Sequence, residues 1–423
     1  LLLFCKKEGL PLLKITTHGC RLNTFESDII RTHAAALTNT LIFNTCAVTA
    51  QAEREARLAI ARAHRENPTA RIIVTGCAAQ LNPARWAALP GVSRVLGNEE
   101  KLRAESWSEH AQSAHADIMQ TTAQVAHPVV GHTGRARAFL AVQQGCDHRC
   151  TFCIIPFGRG PNRSLPIGAA VTHARALVAA GHAEIVLTGV DIASYGADLP
   201  GRPTLGQMVR RLLAQIPELP RLRLSSLDPA AIDADLWALL ATEPRLMPHL
   251  HLSLQAASDL ILKRMKRRHT AAQAADIIAR ARALRPNIAI GADLIAGFPT
   301  ETDELFAETL DFVRTQKIPY LHVFPYSERP GTPAARMPAV PPPIRRARAA
   351  ALRAAGAQAA TAFHATLIGA HTQVVIERAG ELHASGHTEH FAPVRVAGTH
   401  PHASLLRARI TAANATTLLA EAA

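Results

Sequence analysis

FLAVQQGCDHRCTFCIIPFGRG, residues 139–160, carries the reading of this 423-residue chain. A short apolar run ends at Gly145, and the turn after it spaces Cys146, Cys150 and Cys153 as C-x3-C-x2-C. Thiolate sulfur suits iron and spreads charge into an iron-sulfur cluster. Three such ligands hold a four-iron cluster and leave its fourth iron without a protein ligand. S-adenosylmethionine can chelate that iron through its amino and carboxylate groups, and its reductive cleavage yields a 5'-deoxyadenosyl radical. A zinc knuckle is the competing account, but no fourth Cys or His follows at zinc spacing.

Outward from this stretch, the second region alternates strands with helices. FLAVQQG (139–145), EIVLTGV (184–190), RLRLSSL (221–227), HLSLQ (251–255), IAIGADLIAG (288–297) and LHVFPYS (321–327) are its apolar runs. Six such units predict an open six-stranded (β/α) barrel, since a full eight-unit barrel needs more chain. The carboxyl ends of the strands are the expected active face. Phe152 lies against the cluster or the adenine there, or is an ordinary core aromatic. Gly189 leaves backbone polar groups open to the methionyl amine. Asp191 is a cofactor contact or a helix cap. Ser225, Ser226 and Gln255 touch the cofactor's carboxylate or ribose, or bond only within their own loops.

Toward the amino terminus, LLKITT (12–17), TLIFNT (40–45) and RIIVTG (71–76) are short apolar runs with Cys20, Cys46 and Cys77 at their ends. TAQAEREARLAIARAHREN (49–67) has apolar residues at helical spacing, with Thr49 as its N-cap, and VSRVLGNEE (92–100) reads as a fourth strand. The pattern predicts a doubly wound parallel sheet whose ligands lie outside the strands' carboxyl ends, where all three cysteines fall. Buried core thiols are the plain alternative, but repetition of NTC and TGC after strands favours a metal site. Residues 101–136 read as a helix and linker. PAVPPPIRRARAAALRAAGAQAATAFHATL joins a proline-rich hinge to a long basic helix, and short strands beyond it predict a small terminal β-barrel. The predicted domains are 11–125, 135–365 and 366–423.

Composition narrows the function. Hydrophobic content of 48% and mean hydropathy of +0.06 describe a folded chain. No charge-free apolar stretch approaches the length of a membrane span, and the opening LLLFCKKEGLPLL lacks the charge order of a signal peptide. Seven cysteines are too few for a disulfide scaffold and odd in number, with Cys5 in the leader the incidental one. Reduced thiolates used as ligands imply a cytoplasmic protein. A net charge of +13 favours a polyanionic partner such as nucleic acid. Nothing in the chain calls for more than a monomer.

The chain resembles the radical S-adenosylmethionine methylthiotransferases across essentially its whole length. The matching segments are THGCRLNTFES, NTCAVT, VTGCAAQ, GCDHRCTFCIIPFGRG, HLSLQAASDLILKRMKRR, DLIAGFPTETDELFAETLDFV and HVFPYSERPGTPAARM. The resemblance implies an N-terminal methylthiotransferase domain, a radical SAM barrel and a terminal TRAM-like barrel that grips RNA. It implies two [4Fe-4S] clusters, one on Cys146, Cys150 and Cys153 and an auxiliary one on Cys20, Cys46 and Cys77. It also implies S-adenosylmethionine as methyl and radical source, a sulfur source, and a reduced flavodoxin- or ferredoxin-like electron donor. The radical would abstract hydrogen from an unactivated aromatic carbon. Such a bond offers no acidic proton, so no side chain is expected to act as catalytic acid or base.

Three substrates compete within the resemblance: threonylcarbamoyladenosine-37 tRNA, isopentenyladenosine-37 tRNA, and an aspartate of ribosomal protein uS12. CIIPFGRGPNRS, HVFPYSERPGTPAARM and GHTEHF (386–391) look most like the threonylcarbamoyladenosine branch, which modifies C2 of adenosine 37 in the anticodon loop. Pro161 and Ala256 depart from the family pattern, where Arg and Ser are usual. Arg159, Arg163 and Arg329 are candidate substrate contacts. Lys263, Arg264, Lys266, Arg267 and Arg268 form a candidate phosphate patch, as do Arg345, Arg346 and Arg348, though solvated helix faces carry similar runs. The terminal 366–423 segment balances four arginines against four glutamates. A non-catalytic iron-sulfur RNA-binding protein or redox sensor is the reading from another class.

Overall fold

Runs such as TLIFNT and RIIVTG place β-branched and aromatic side chains on both faces of an extended chain, which suits a strand covered on both sides. In the computed structural model, which describes residues 13–122 and 134–423, they form such strands. The chain divides into two units: residues 13–122 with Ile154–Pro161, and residues 134–153 with Asn162–Ala423. Cys5, the start of the first expected strand and residues 123–133 of the expected linker lie outside the described residues.

In the first unit, β1 (Leu13–Thr17), β2 (Thr40–Thr45), β3 (Arg71–Gly76) and β4 (Val92–Val95) pair in parallel, in the order β1-β2-β3-β4. Helices α1 (Arg21–His33) and α2 (Ala50–Glu66) follow β1 and β2, and α3 (Cys77–Leu81) and α4 (Pro83–Ala87) both follow β3. Leu41, Phe43, Ile72 and Val74 pack against Ala56 and Ile60 of α2 and Trp86 of α4. Ile42 and Ile73, on the alternate face, pack against Ile30 of α1, Ala34 just beyond it, and Trp107. Helices therefore cover both faces, while the strand order runs straight, without the reversal usual in doubly wound sheets. Thr49 caps α2 as expected, accepting from the Ala52 N–H at 3.1 Å. A short helix, α5 (Ile155–Arg159), belongs to this unit, with Ile154 and Ile155 packed on its core.

The helix expected within 101–136 does not form among the described residues. Residues 101–122 hold only short 3-10 turns, including Ala104–Trp107 and Ile118–Gln120. The stretch lacks apolar residues at helical spacing; Trp107 and Ile118 anchor it singly, both almost fully buried.

The second unit contains the six-stranded barrel in sequence order. β5 (Arg137–Ala141) leads to an antiparallel pair, β6 (Gln143–Gln144) and β7 (Arg163–Ser164), that frames the cysteine loop. β5, β8 (Glu184–Thr188) and β9 (Arg221–Leu224) form one parallel sheet. β10 (His249–Gln255), β11 (Ala289–Ala296) and β12 (Tyr320–Pro325) form another. Parallel bridges Leu222–Leu246 and Leu227–Leu252 link the two. Outer helices are α6 (Ile167–Ala179), α7 (Leu205–Gln215), α8 (Ala234–Thr242), α9 (Asp259–Arg264), α10 (Ala271–Leu284), α11 (Asp303–Thr315) and α12 (Pro342–Ala365). One continuous core joins Leu140, Leu187 and Leu252 of the strands to Leu177, Leu212, Ile278 and Leu352 of the helices. Each such side chain contributes about 1.5–3 kcal/mol on burial. The basic helix α12 starts on prolines, where the missing N–H costs nothing, and buries Ala349 and Leu352 in that core.

The terminal segment closes into the expected barrel. β13 (His371–Arg378), β14 (His383–Thr388), β15 (Pro393–Ala397), β16 (Leu405–Ala413) and β17 (Leu418–Ala422) run β13-β14-β15-β17-β16 around it. Val374, Ile376, Val394, Val396 and Ile410 fill its interior. Among the described residues, no helix is long and apolar enough to cross a membrane.

Candidate active site

The loop bearing Cys146, Cys150 and Cys153 leaves β6 through Gly145, whose φ of +68° lies in the left-handed region that glycine adopts without strain. Gln143 fixes the loop. Its buried amide donates to the Gly145 carbonyl and to Asn162 Oδ1, both at 2.7 Å. Its Oε1 accepts from the N–H groups of Val190 and Asp191, at 2.9 and 2.8 Å. The turn at Gly189 thus approaches so closely that a Cβ there would lie 2.7 Å from the Gln143 carbonyl. Sequence reading placed Gly189 here for the methionyl amine and missed Gln143 altogether. A glutamine at a strand end carries no local signal of a bond 47 positions away.

Asp191 turns toward the cysteine loop: its carboxylate lies 3.0 Å from His148 Nε2 and accepts from Ser194 Oγ at 2.6 Å. Arg267 spans Asp228 at 3.3 Å, the Ser253 carbonyl at 2.6 Å and Cys150 Sγ at 3.7 Å. Burial first, then the Asp191 charge and the neighbouring thiols, pushes Cys146 up to about 12. A thiol so reluctant to ionise alone becomes a thiolate when a metal supplies the charge. Phe152, partly buried, packs against the apolar cluster that includes Ile261, Phe298 and Tyr326. Ser225 is buried, its backbone bonded to Leu187. Gln255 has φ of +71° beside a break in strand register, a conformation that non-glycine residues hold only where surroundings impose it.

The second thiol set stands at the carboxyl ends of β1, β2 and β3, as their parallel direction requires. Cys20 precedes α1, Cys46 follows β2, and Cys77 opens α3. Gly19 and Gly76, with φ of +101° and +99°, turn the chain before two of them. Cys46 is pushed up to about 12 by burial and then by Cys77 and Cys20, so the three thiols feel one another.

Beneath them lies a buried ionic network. Arg159 Nε donates to Cys77 Sγ at 3.2 Å, while its other nitrogens donate to Glu26 at 2.7 Å and Asn23 at 2.6 Å. Lys101, fully buried, donates to Glu26 and Asn98, each at 2.6 Å. Burial raises the Glu26 carboxyl, but Arg159 and Lys101 outweigh it and hold the group at about 2.

Cysteine sulfur is the donor type that iron-sulfur clusters take, and six cysteines stand in the two sets. Among the described residues, the ligand atoms that close within 4.8 Å belong to His251, Asp293 and His322; neither cysteine triplet converges so far. A four-iron cube is larger than one ion and holds its sulfurs wider apart.

Several expected RNA contacts lie elsewhere. Arg159 is 2% exposed and committed to Cys77 and Glu26, so no phosphate reaches it. Arg163 and Arg329 are also buried. Arg267 points to the cysteine loop, and Arg264 donates to Thr300. Arg348 is buried against Glu301 and Asp303, and Arg345 donates to the carbonyls of Val340 and Tyr326. Lys263, Lys266, Arg268 and Arg346 stay exposed; Arg268 also pairs with Asp228 at 3.2 Å.

Comparison with known proteins agrees with this architecture. The Radical SAM superfamily matches residues 140–313, and the uncharacterized protein family UPF0004 matches residues 13–97. A threonylcarbamoyladenosine tRNA methylthiotransferase MtaB from Rickettsia prowazekii is 49% identical, over 90% of this chain and 91% of its own. Its Bacillus subtilis namesake is 36% identical, over 76% and 74%. A tRNA-2-methylthio-N(6)-dimethylallyladenosine synthase from Maricaulis maris is 35% identical, over 88% and 87%. Among solved structures, the radical S-adenosylmethionine methyltransferase TsrM from Kitasatospora setae has TM-score 0.55 and 15% identity, over 74% of this chain and 69% of its own; that likeness is one of fold. On the length and identity of these matches, the chain belongs to the radical SAM methylthiotransferase family.

Proposed function

We propose that this protein attaches a methylthio group to C2 of N6-threonylcarbamoyladenosine at position 37 of tRNA. The observation that carries this is the 49% identity, over 90% of the chain, to an enzyme named for that substrate. The dimethylallyladenosine synthase is similar over as much of the chain but only 35% identical. Radical SAM enzymes of this type use a [4Fe-4S] cluster and S-adenosylmethionine, which together supply the radical that removes hydrogen from an unactivated C–H bond.

The chain's own side chains bind, orient and balance charge. Cys146, Cys150 and Cys153 are assigned to the radical cluster, on a loop that Gln143 ties to the Gly189 turn. Asp191 holds His148 of that loop, and Arg267 sets a cation beside Cys150. Cys20, Cys46 and Cys77 are assigned to a second cluster, with Arg159 as the cation against Cys77. Fixed positive charge beside a thiolate offsets the negative charge that a cluster brings into a buried site. The exposed Lys263, Lys266, Arg268 and Arg346 are assigned to RNA phosphates. A sulfur source and a flavodoxin- or ferredoxin-like donor complete the reaction.

Mass spectrometry of tRNA nucleosides from a strain lacking its own methylthiotransferase for this site, with and without this gene, tests the assignment. The gene should produce 2-methylthio-N6-threonylcarbamoyladenosine. Production of the 2-methylthio isopentenyl nucleoside instead, or unchanged tRNA with altered uS12, would move it to another branch. No product from well-loaded protein would support the non-catalytic reading.

A further inference from the structure

Halfway along β10, β11 and β12, the side chains of His251, Asp293 and His322 meet in a cluster unused by the chemistry above. Their strand neighbours Leu250, Leu252, Ala292, Leu294, Leu321 and Val323 pack on the outer helices. Alternation along a strand therefore turns the three polar residues to the opposite face, the inside of the barrel. Asp293 Oδ1 lies 3.0 Å from His251 Nε2 and 3.2 Å from His322 Nδ1. The two imidazole rings are 4.7 Å apart at their centres. Exposure rises along the cluster, from 7% at His251 to 19% at Asp293 and 56% at His322. Gly291 makes room for the buried end, because a Cβ there would overlap the His251 ring.

The cluster is thus a polar group with an anchored end and an open end. Asp293 receives a hydrogen bond from each imidazole, which holds its carboxyl well below the usual range against the opposing effect of burial. His322 Nδ1 is spent on Asp293, and Nε2 is its remaining polar atom. The cluster also lies near the reacting end of the barrel. Ser253, two residues and about 7 Å further along β10, gives its carbonyl to the Arg267 that stands beside Cys150.

We infer that His322, positioned by Asp293 and His251, forms a subsite for the polar N6 substituent of the substrate nucleoside. The inference rests on the function proposed above and adds how the protein tells one modified adenosine from another. A threonylcarbamoyl group offers N–H, hydroxyl and carboxylate partners to an imidazole. A dimethylallyl group offers none, and seating it against an ionised carboxylate and two imidazoles strands polar groups without partners. The same three atoms lie close enough together for a metal ion, but the hydrogen bonds to Asp293 already account for their spacing.

The test uses cluster-loaded full-length protein and two anticodon stem-loop RNAs, one with N6-threonylcarbamoyladenosine and one with N6-dimethylallyladenosine at position 37. For each protein, the ratio of kcat/KM on the two RNAs is measured, so that any loss of folded material cancels. The wild type should favour the threonylcarbamoyl RNA. H322F should reduce that preference about ten-fold or more, chiefly through KM, and H322Q should recover much of it. An unchanged ratio in H322F would overturn the inference while leaving the proposed function standing. A wild type that acts only on the dimethylallyl RNA would overturn both. A divalent ion held by the wild type and lost from D293N, measured by elemental analysis, would replace the subsite with a metal site.

Discussion

Glu26 is held between two cations, Arg159 and Lys101. Its carboxylate accepts from Arg159 and Lys101, and all three side chains are almost fully buried. Breaking a buried ion pair by removing one partner leaves an uncompensated charge, so E26Q should destabilise the protein by about 3–5 kcal/mol, read by urea unfolding. The pH response follows from the carboxyl lying at about 2, below its ordinary 4.5. Its stabilisation is fully present above pH 4.5 and is lost as pH falls from there toward 2. Unfolding curves for E26Q should therefore change less than those of the wild type across that acid range. Arg159 shows the limit of reading charge from sequence. An arginine after a glycine looks the same whether it faces a phosphate or a sulfur, and only folding puts it at 3.2 Å from Cys77.

At the scale of elements, the turn at Gly145 was legible in sequence, because glycine reaches its conformation without strain. Gly19, Gly76 and Gly145 each precede a cysteine, and each has φ between +68° and +101°. A Cβ at Gly76 would overlap the Thr45 backbone, so G76A should displace Cys77. We expect G76A to lose iron from the first unit while keeping the iron bound by Cys146, Cys150 and Cys153, as counted by Mössbauer spectroscopy. The six barrel strands were legible for a similar reason, each an apolar run closed by polar residues. The placement of α5 was not. Residues 154–161 continue directly from the cysteine loop, yet their apolar residues pack on Ala78 and its neighbours in the first unit. The basic stretch 263–268 was half legible. Its composition fixed a cationic surface, but the partners Asp228, Ser253 and Thr300, which turn Arg264 and Arg267 inward, come from distant strands and loops.

Across the whole molecule, the terminal barrel is built onto the radical barrel within the second unit. Phe391, after β14, lies 5.0 Å and 4.9 Å from the guanidinium groups of Arg137 and Arg223. Arg221 donates to the carbonyls of Gln373 and Thr388, and Arg137 pairs with Glu377 at 2.5 Å. Removing the ring should cost about 2–4 kcal/mol of packing and cation-π attraction. F391A should therefore release the terminal barrel to limited proteolysis before the rest of the chain. The central claim is a division of labour between the two cysteine sets, and one assay addresses it most directly. Wild type and C46A, loaded anaerobically, are given dithionite, S-adenosylmethionine, sulfide as the sulfur source and a threonylcarbamoyladenosine stem-loop, and both products are followed by mass spectrometry. The account predicts 5'-deoxyadenosine and methylthiolated RNA from the wild type, and 5'-deoxyadenosine alone from C46A. Methylthiolated RNA from C46A would contradict it.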